Sequence, residues 1–310
     1  MKWTRYLSLI GIILFIYILS KLDISRVLEE IENANLNYLL ITVFLTFVLI
    51  IVQPFKWWII ARLQKINVPY KAAIKINLAS GFFYGFITPS KLGIVTRAGY
   101  LRDYSNSYSK GFSNVVIDKA LDLSSLFLFA IILGFIFHNK IPFFSAGLFL
   151  IIFIVMIGSF VFFSSKERTK NSLRFLYRHF VPEKSKERIK GSFEAFYEDM
   201  PKKRQLAGVF LLNMLVWMLI YATTYFVGLS LGINLPFVYY LALLPIGTLV
   251  AQIPITINGL GTREVTLIKL FGIFGISAEK TFSMSILSLI ITGLIPAIVA
   301  LFFIFKKDLK

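Results

Sequence analysis

Six stretches of this 310-residue chain are apolar for as long as a helix needs to cross a bilayer core, about 20 residues. They run roughly from 4 to 20, 38 to 58, 112 to 137, 142 to 163, 206 to 231 and 282 to 305. Such runs leave few ways to fold in water. Charged residues make up only 16% of the chain, against about 25% in a soluble domain. Hydrophobic residues make up 57%, too many for a disordered chain. The absence of Cys excludes a disulfide scaffold and a thiolate metal site. With His138 and His179 as the two histidines, no zinc site and no cofactor are expected. The expected class is an all-α polytopic membrane protein.

Charge sets the expected orientation. Lys and Arg number 33 and Asp and Glu 16, a net charge of +17. Basic loops of a membrane protein account for such an excess without nucleic acid. Lys2 and Arg5 precede the first span, which reads as a retained anchor because no small-residue cleavage site follows it. Residues 56–75 hold Lys56, Arg62, Lys65, Lys71 and Lys75 and no acid. Residues 164–204 hold twelve Lys or Arg against six Asp or Glu. These segments and the tail Lys306-Lys307-Asp308-Leu309-Lys310 are expected on the cytoplasmic side. The acidic segment 21–37 is expected outside. Six spans place both termini in the cytoplasm, in a cell membrane.

Two apolar stretches do not fit six crossings. Ile76–Pro89 is too short to span and has basic segments on both sides. Phe237–Gly275 is broken by Pro245, Pro254, Gly259 and Gly261. Each reads as a broken, re-entrant helical segment, dipping in and returning to its own side. Irregular backbone at that depth must be buried in protein or line a wet cavity. The two stretches also resemble each other. Thr88-Pro89-Ser90-Lys91-Leu92-Gly93 is followed by Arg97; Asn258-Gly259-Leu260-Gly261-Thr262 is followed by Arg263-Glu264. Each lies between two full spans, in units of opposite orientation, 38–137 and 206–305. This layout is that of an inverted repeat in one transmembrane domain, residues 1–310. Chance likeness of two Gly/Pro turns is the alternative.

These segments carry a family resemblance. Pro89 to Gly93 with Arg97-Ala98, the helix Asp118-Lys119-Ala120-Leu121-Asp122, and Gly259-Leu260-Gly261-Thr262-Arg263-Glu264 resemble the motifs of the lysylphosphatidylglycerol synthase/flippase-like transmembrane family. The last segment is the most specific, and the resemblance covers nearly the whole chain. Ile94 stands where the family often has an acid, and Lys119 where Arg is usual. Known members join this unit to a soluble aminoacyl-transferase domain. The chain runs only five residues past its last expected span, so the lipid-translocating unit alone is expected. Similar stand-alone chains in archaea are associated with polyprenyl-linked sugars.

The residues themselves suggest a site. Asp118 and Asp122 are four apart and share a helix face, with Lys119 three residues from Asp122. Charges at membrane depth are functional candidates; a purely structural ion pair is the alternative. Arg97 and Arg263, with Lys91, are expected to clamp a phosphate. Asn258, Gly259 and Gly261 would let backbone approach it. Glu264 is expected to pair with Arg263 or Lys119 when the site is empty. Lys170, Arg174 and Arg178 lie beside an apolar stripe expected to rest on the membrane surface. No constellation for catalysis is visible. The expected function is transport of an anionic or polyprenyl-phosphate-linked lipid between leaflets, with membrane lipids as partners. The alternatives are a non-catalytic subunit presenting lipid to a glycosyl- or aminoacyl-transferase partner, and a small-anion transporter.

Overall fold

The computed structural model describes residues 13–83, 92–105, 107–137, 154, 166–170, 193–194, 197, 199–252, 256 and 259–305. Every regular element among them is helical. After helical residues 13–21 comes a short amphipathic helix, α1 (Ile24–Glu32), capped by Asp23, whose carboxylate accepts from the N–H groups of Ser25 and Arg26. The long α2 (Leu36–Leu63) follows. Next comes a first hairpin. Its inbound arm is α3 (Tyr70–Asn77) continued by a π-helical turn at Leu78–Phe83. Its outbound arm is α4 (Thr96–Ser105), entered through a 3-10 turn at Leu92–Val95. Helix α5 (Tyr108–Ile136) closes the first half.

The second half repeats the order: long α6 (Lys203–Ser230), a hairpin of α7 (Phe237–Ala251) and α8 (Thr262–Gly272), and a final long helix. That last helix is α9 (Ala278–Leu289), a π-helical turn at Ile290–Leu294, and α10 (Ile295–Phe305). Among the described residues, Leu36–Leu63, Lys203–Ser230 and Ala278–Ile304 are long and apolar enough to cross a membrane. At 1.5 Å per residue each is about 40 Å long. The expected spans at 4–20 and 142–163 lie largely outside the described residues.

The long helices carry their polarity inside out. In α2 the buried stripe is Thr42, Thr46, Leu49, Lys56 and Ile60, while Leu40, Phe44, Phe47, Ile51 and Phe55 face outward. Small or hydrogen-bonding residues let helices approach, and bulky apolar ones meet lipid. The hydroxyls of Thr42 and Thr46 donate to carbonyls one turn back, at Tyr38 and Thr42. Helices α2 and α6 run antiparallel: the Asn35 N–H bonds the Ser230 carbonyl at one end, and Lys56 meets Asn213 deeper in.

Each hairpin returns to the end it came from. Tyr239, at the start of α7, packs edge-on against Phe274, just past α8, with centroids 4.9 Å apart. At the tip, the turn at Gly259 lies against Ala251. In the first hairpin, Leu101 of α4 packs with Ala72 and Ala73 of α3, beside Trp57 and Ile66. The first hairpin opens at the basic end of the bundle, near Lys65 and Lys110. The second opens at the acidic end, near α1. The arms run from 10 to 15 residues, against the about 20 that a crossing helix needs.

The packing pairs correspond between halves. Helix α7 lies along α5, and the π turn of the first hairpin lies along α10. Helix α4 packs on α5 as α8 packs on α9; α2 meets α5 as α6 meets α9. Among the described residues, the largest core cluster is centred on Tyr221, Tyr240, Leu243, Phe271 and Met284 of the second half and takes in Leu126 and Phe129 of α5. The chain is an all-helical polytopic membrane protein.

Candidate functional site

Four charged side chains form a buried chain in the first half. Arg97 of α4 donates to Asp118 of α5 at 2.7 Å. The other Asp118 oxygen pairs with Lys56 of α2 at 2.8 Å, and Lys56 also binds Asp122, one turn along α5, at 2.6 Å. Asn213 of α6 accepts from Lys56 at 2.8 Å and donates to Ser125 and to the Leu121 carbonyl. The Trp217 indole donates to Asp122 at 3.2 Å. Arg97 also stacks over Trp57, 4.7 Å from its centroid, a cation–π contact. The side chains of Arg97, Lys56 and Asp118 are at most 4% exposed, and Asp122 14%.

The chain is charge-balanced, two cations against two carboxylates. That balance is what allows it to sit so deep. Lys56 lies seven residues from the basic end of α2, and Asp118 ten residues from that end of α5, about 10 and 15 Å along their axes. A lone charge at such depth costs several kcal/mol; pairing and hydrogen bonding offset the desolvation.

The tip of the second hairpin meets this chain and is not balanced. Lys119 of α5 donates to the side chain of Gln252, at the end of α7, at 2.7 Å. Arg263 begins α8 and is half-buried, its stem near Gly247 of α7. Asp122 and Arg263 both act electrostatically on Tyr221, whose hydroxyl donates to Thr248. Among the described residues, neither Lys119 nor Arg263 has a carboxylate within 4.0 Å. The turn is shaped by Gly259 and Gly261, at φ of 77° and 87°, a left-handed backbone that side chains disfavour. At Gly259 a Cβ would also lie 2.4 Å from that of Ala251.

The structure redistributes the roles expected from sequence. Arg97, Asp118 and Asp122 do come together, but through Lys56, which the sequence reading left in the basic cytoplasmic segment 56–75. Lys56 is buried instead, because the apolar helix runs on past it to Leu63. Lys119 is not the ion-pair partner of Asp122: Lys56 takes that place, and Lys119 reaches across to Gln252. Arg97 was expected to present its guanidinium to a phosphate; a carboxylate and an indole ring occupy it. Glu264 pairs with neither Arg263 nor Lys119. It accepts from the Gly261 N–H at 2.6 Å and from the Ser285 hydroxyl of α9 at 2.8 Å. The first contact is the return half of a capping box. Lys170 is exposed. Lys91, Asn258, Arg174 and Arg178 lie outside the described residues.

Comparison with known proteins agrees in extent with the fold. The family described as the lysylphosphatidylglycerol synthase TM region matches residues 6–300. A UPF0104 membrane protein of Pyrococcus horikoshii is 25% identical over 97% of this chain and 96% of its own length. Another, of Methanocaldococcus jannaschii, is 29% identical over 66% of this chain and 86% of its own length. A third, of Methanothermobacter thermautotrophicus, is 21% identical over 92% and 90%. With nearly its whole length matched by one family, this chain belongs to that of the lysylphosphatidylglycerol synthase TM region.

Proposed function

We propose that this protein moves a lipid with an anionic, phosphate-bearing headgroup between the leaflets of the cell membrane. The observation that carries this reading is the pair of cations at the second hairpin tip, Lys119 and Arg263, without carboxylate partners among the described residues. Beside them the Arg97–Asp118–Lys56–Asp122 chain is neutral. Among the described residues the two cations outnumber Glu264, the one carboxylate of the tip, and the excess positive charge attracts an anion. An Arg fork and a Lys point charge complement a phosphate. The N-terminus of α8 adds its dipole, partly offset by Glu264.

The rest of the architecture is read to match. The two hairpins are taken as re-entrant segments of an inverted repeat, a reading supported by the corresponding packing pairs of the two halves. The basic end, with Lys65, Lys110, Lys202 and Lys203, is placed in the cytoplasm. The headgroup travels past the tip of the second hairpin while its tails stay in lipid. Rocking of one half against the other opens the path alternately to each side.

The test is leaflet exchange of labelled lipids in vesicles holding only this protein. Phosphatidylglycerol, an aminoacylated derivative and a polyprenyl phosphate serve as separate probes, with inorganic phosphate uptake as a control for a soluble-anion carrier. Protein-dependent exchange of one class is expected. Arg263→Ala and Lys119→Gln should each slow it about tenfold or more, the value of one charge-assisted hydrogen bond. Lys170→Gln should leave it unchanged. Absence of exchange by folded protein would refute the transporter and favour a subunit that presents lipid to an enzyme. Phosphate uptake without lipid exchange would move the assignment to a soluble anion.

A further inference from the structure

Asp118 and Lys119 are neighbours on α5, and the fold treats their charges in opposite ways. Asp118 is matched by two cations, Lys56 and Arg97. The Lys119 ammonium meets an uncharged amide instead, donating to the Gln252 side chain at 2.7 Å. An ammonium has donors only, so the amide oxygen is the atom that must face it. Such a charge-assisted hydrogen bond fixes a cation in place. It does not neutralise the cation, because an amide carries no net charge.

The backbone under Gln252 is fixed. It follows the last turn of α7, and its own N–H bonds the Leu249 carbonyl at 3.0 Å. Helix α7 lies along α5, so the contact joins a lysine of the first half to an amide of the second. Thr248 stands four residues before Gln252 and shares its face of α7. Thr248 accepts from Tyr221, on which Asp122 and Arg263 both act electrostatically. The stem of Arg263 lies at Gly247. The neighbours of both tip cations on α7, Gly247 to Gln252, thus fall within about 7.5 Å of helix axis. Gln252 is partly exposed, and its amide nitrogen donates to no group among the described residues.

The charge count gives the amide its meaning. Glu has nearly the shape of Gln and would give Lys119 an ion pair, as Lys56 has in the neighbouring chain. With Glu264 already at the tip, a second carboxylate would match two cations with two anions. With Gln the same hold on Lys119 leaves an excess of positive charge.

We propose that Gln252 is the positioning residue of the headgroup site. It holds the Lys119 ammonium at the second hairpin tip without cancelling its charge, and its amide N–H groups add uncharged donors toward the same phosphate. This role rests on the headgroup site proposed above.

The test measures binding of short-chain phosphatidylglycerol and, separately, of inorganic phosphate to the full chain in detergent. Two variants separate hold from charge. Gln252→Glu keeps the hold and cancels the charge; Gln252→Met keeps the bulk and the charge and loses the hold. Gln252→Met should bind phosphatidylglycerol more weakly than the wild type. Gln252→Glu should bind it most weakly, by about tenfold or more, the value of one charge-assisted hydrogen bond. It should melt no lower than the wild type, because a half-buried cation gains a counter-charge. A merely structural hold gives the reverse order, so a Gln252→Glu protein that binds like the wild type overturns the role. Should Gln252→Glu lose its stability as well, the exchanged pair Lys119→Gln with Gln252→Lys decides. It should recover the binding that Lys119→Gln alone loses, and no recovery overturns the role. A wild type that binds neither probe, or a Lys119→Gln variant that binds as the wild type does, refutes the headgroup site and this role with it. Binding of inorganic phosphate alone, with the same order of variants, moves the ligand to a soluble anion and leaves the role of Gln252 standing.

Discussion

At the scale of single residues, Lys56 of α2 ties together α5 and α6. Its ammonium holds two carboxylates and an amide drawn from α5 and α6. Removing it leaves Arg97 as the one cation for two carboxylates and strands the buried Asp122, so Lys56→Met should cost about 3–5 kcal/mol, the range for breaking a buried pair. The same logic makes a pair of variants diagnostic. Arg97→Met leaves Asp118 short of a cation. Adding Asp118→Asn restores the balance, because Lys56 then faces Asp122 alone. The double variant should therefore melt at a higher temperature than Arg97→Met in a detergent thermal scan. A double variant that melts lower would show that the chain is not held by charge balance. The sequence made half of this chain legible. Asp118 and Asp122 share a face by their spacing alone. Lys56 was hidden because a Lys beside Trp57 and Trp58 reads as the edge of a basic loop. Its cue was the apolar run that continues through Ile59 and Ile60. Which cation meets which carboxylate depends on how helices pack laterally, and spacing along one helix cannot supply that.

At the scale of elements, the breaks in the apolar pattern were the most readable feature. Pro254, Gly259 and Gly261 mark a hairpin turn, and α7 and α8 lie on either side of it, with Pro245 inside α7. The first hairpin was harder to read: its inbound arm begins at Tyr70, six residues before the expected Ile76. The polar start, Tyr70-Lys71-Ala72-Ala73, looked like loop. It is helical because Ala72, Ala73 and Ile76 pack against Trp57, Ile66 and Leu101. The π turns at Leu78–Phe83 and Ile290–Leu294 had no visible cue, since composition does not distinguish them from α-helix. The hairpin tip yields a prediction that belongs to this scale. Gly259→Ala adds left-handed strain of about 1–2 kcal/mol and a methyl group where Ala251 already stands. It should lower the melting temperature. It should also slow lipid exchange more than Lys170→Gln does, because the turn positions Arg263. A silent Gly259→Ala would mean that the tip tolerates a different backbone and does not fix the clamp.

For the molecule as a whole, the proposed transport requires two halves that are tied together and still free to move. The deep ties are the α2–α6 pair and the charge-balanced chain. At the basic end the tie is polar and near water. Asp199, just before α6, accepts from Lys110 at the start of α5 and pairs with Lys65 beyond α2 at 3.0 Å. One carboxylate thus joins the entrance of the second half to two helices of the first. The hydrogen bonds from Lys110 and Lys65 hold its carboxyl below the usual carboxylate range. A carboxyl whose value falls on folding contributes stability above its unfolded value, about 3.9. That contribution is lost as pH falls through the lower folded value. Lys65 is 81% exposed, so solvent screens the tie and its worth is about 1 kcal/mol or less. Asp199→Asn should therefore melt slightly below the wild type at neutral pH, with the gap closing in strong acid, where the wild-type carboxyl is protonated too. A gap that persists in acid would assign the effect to the lost shape of the turn rather than to charge. A variant that also speeds lipid exchange at neutral pH would show that this tie resists the relative motion of the halves, which a passive surface ion pair does not do.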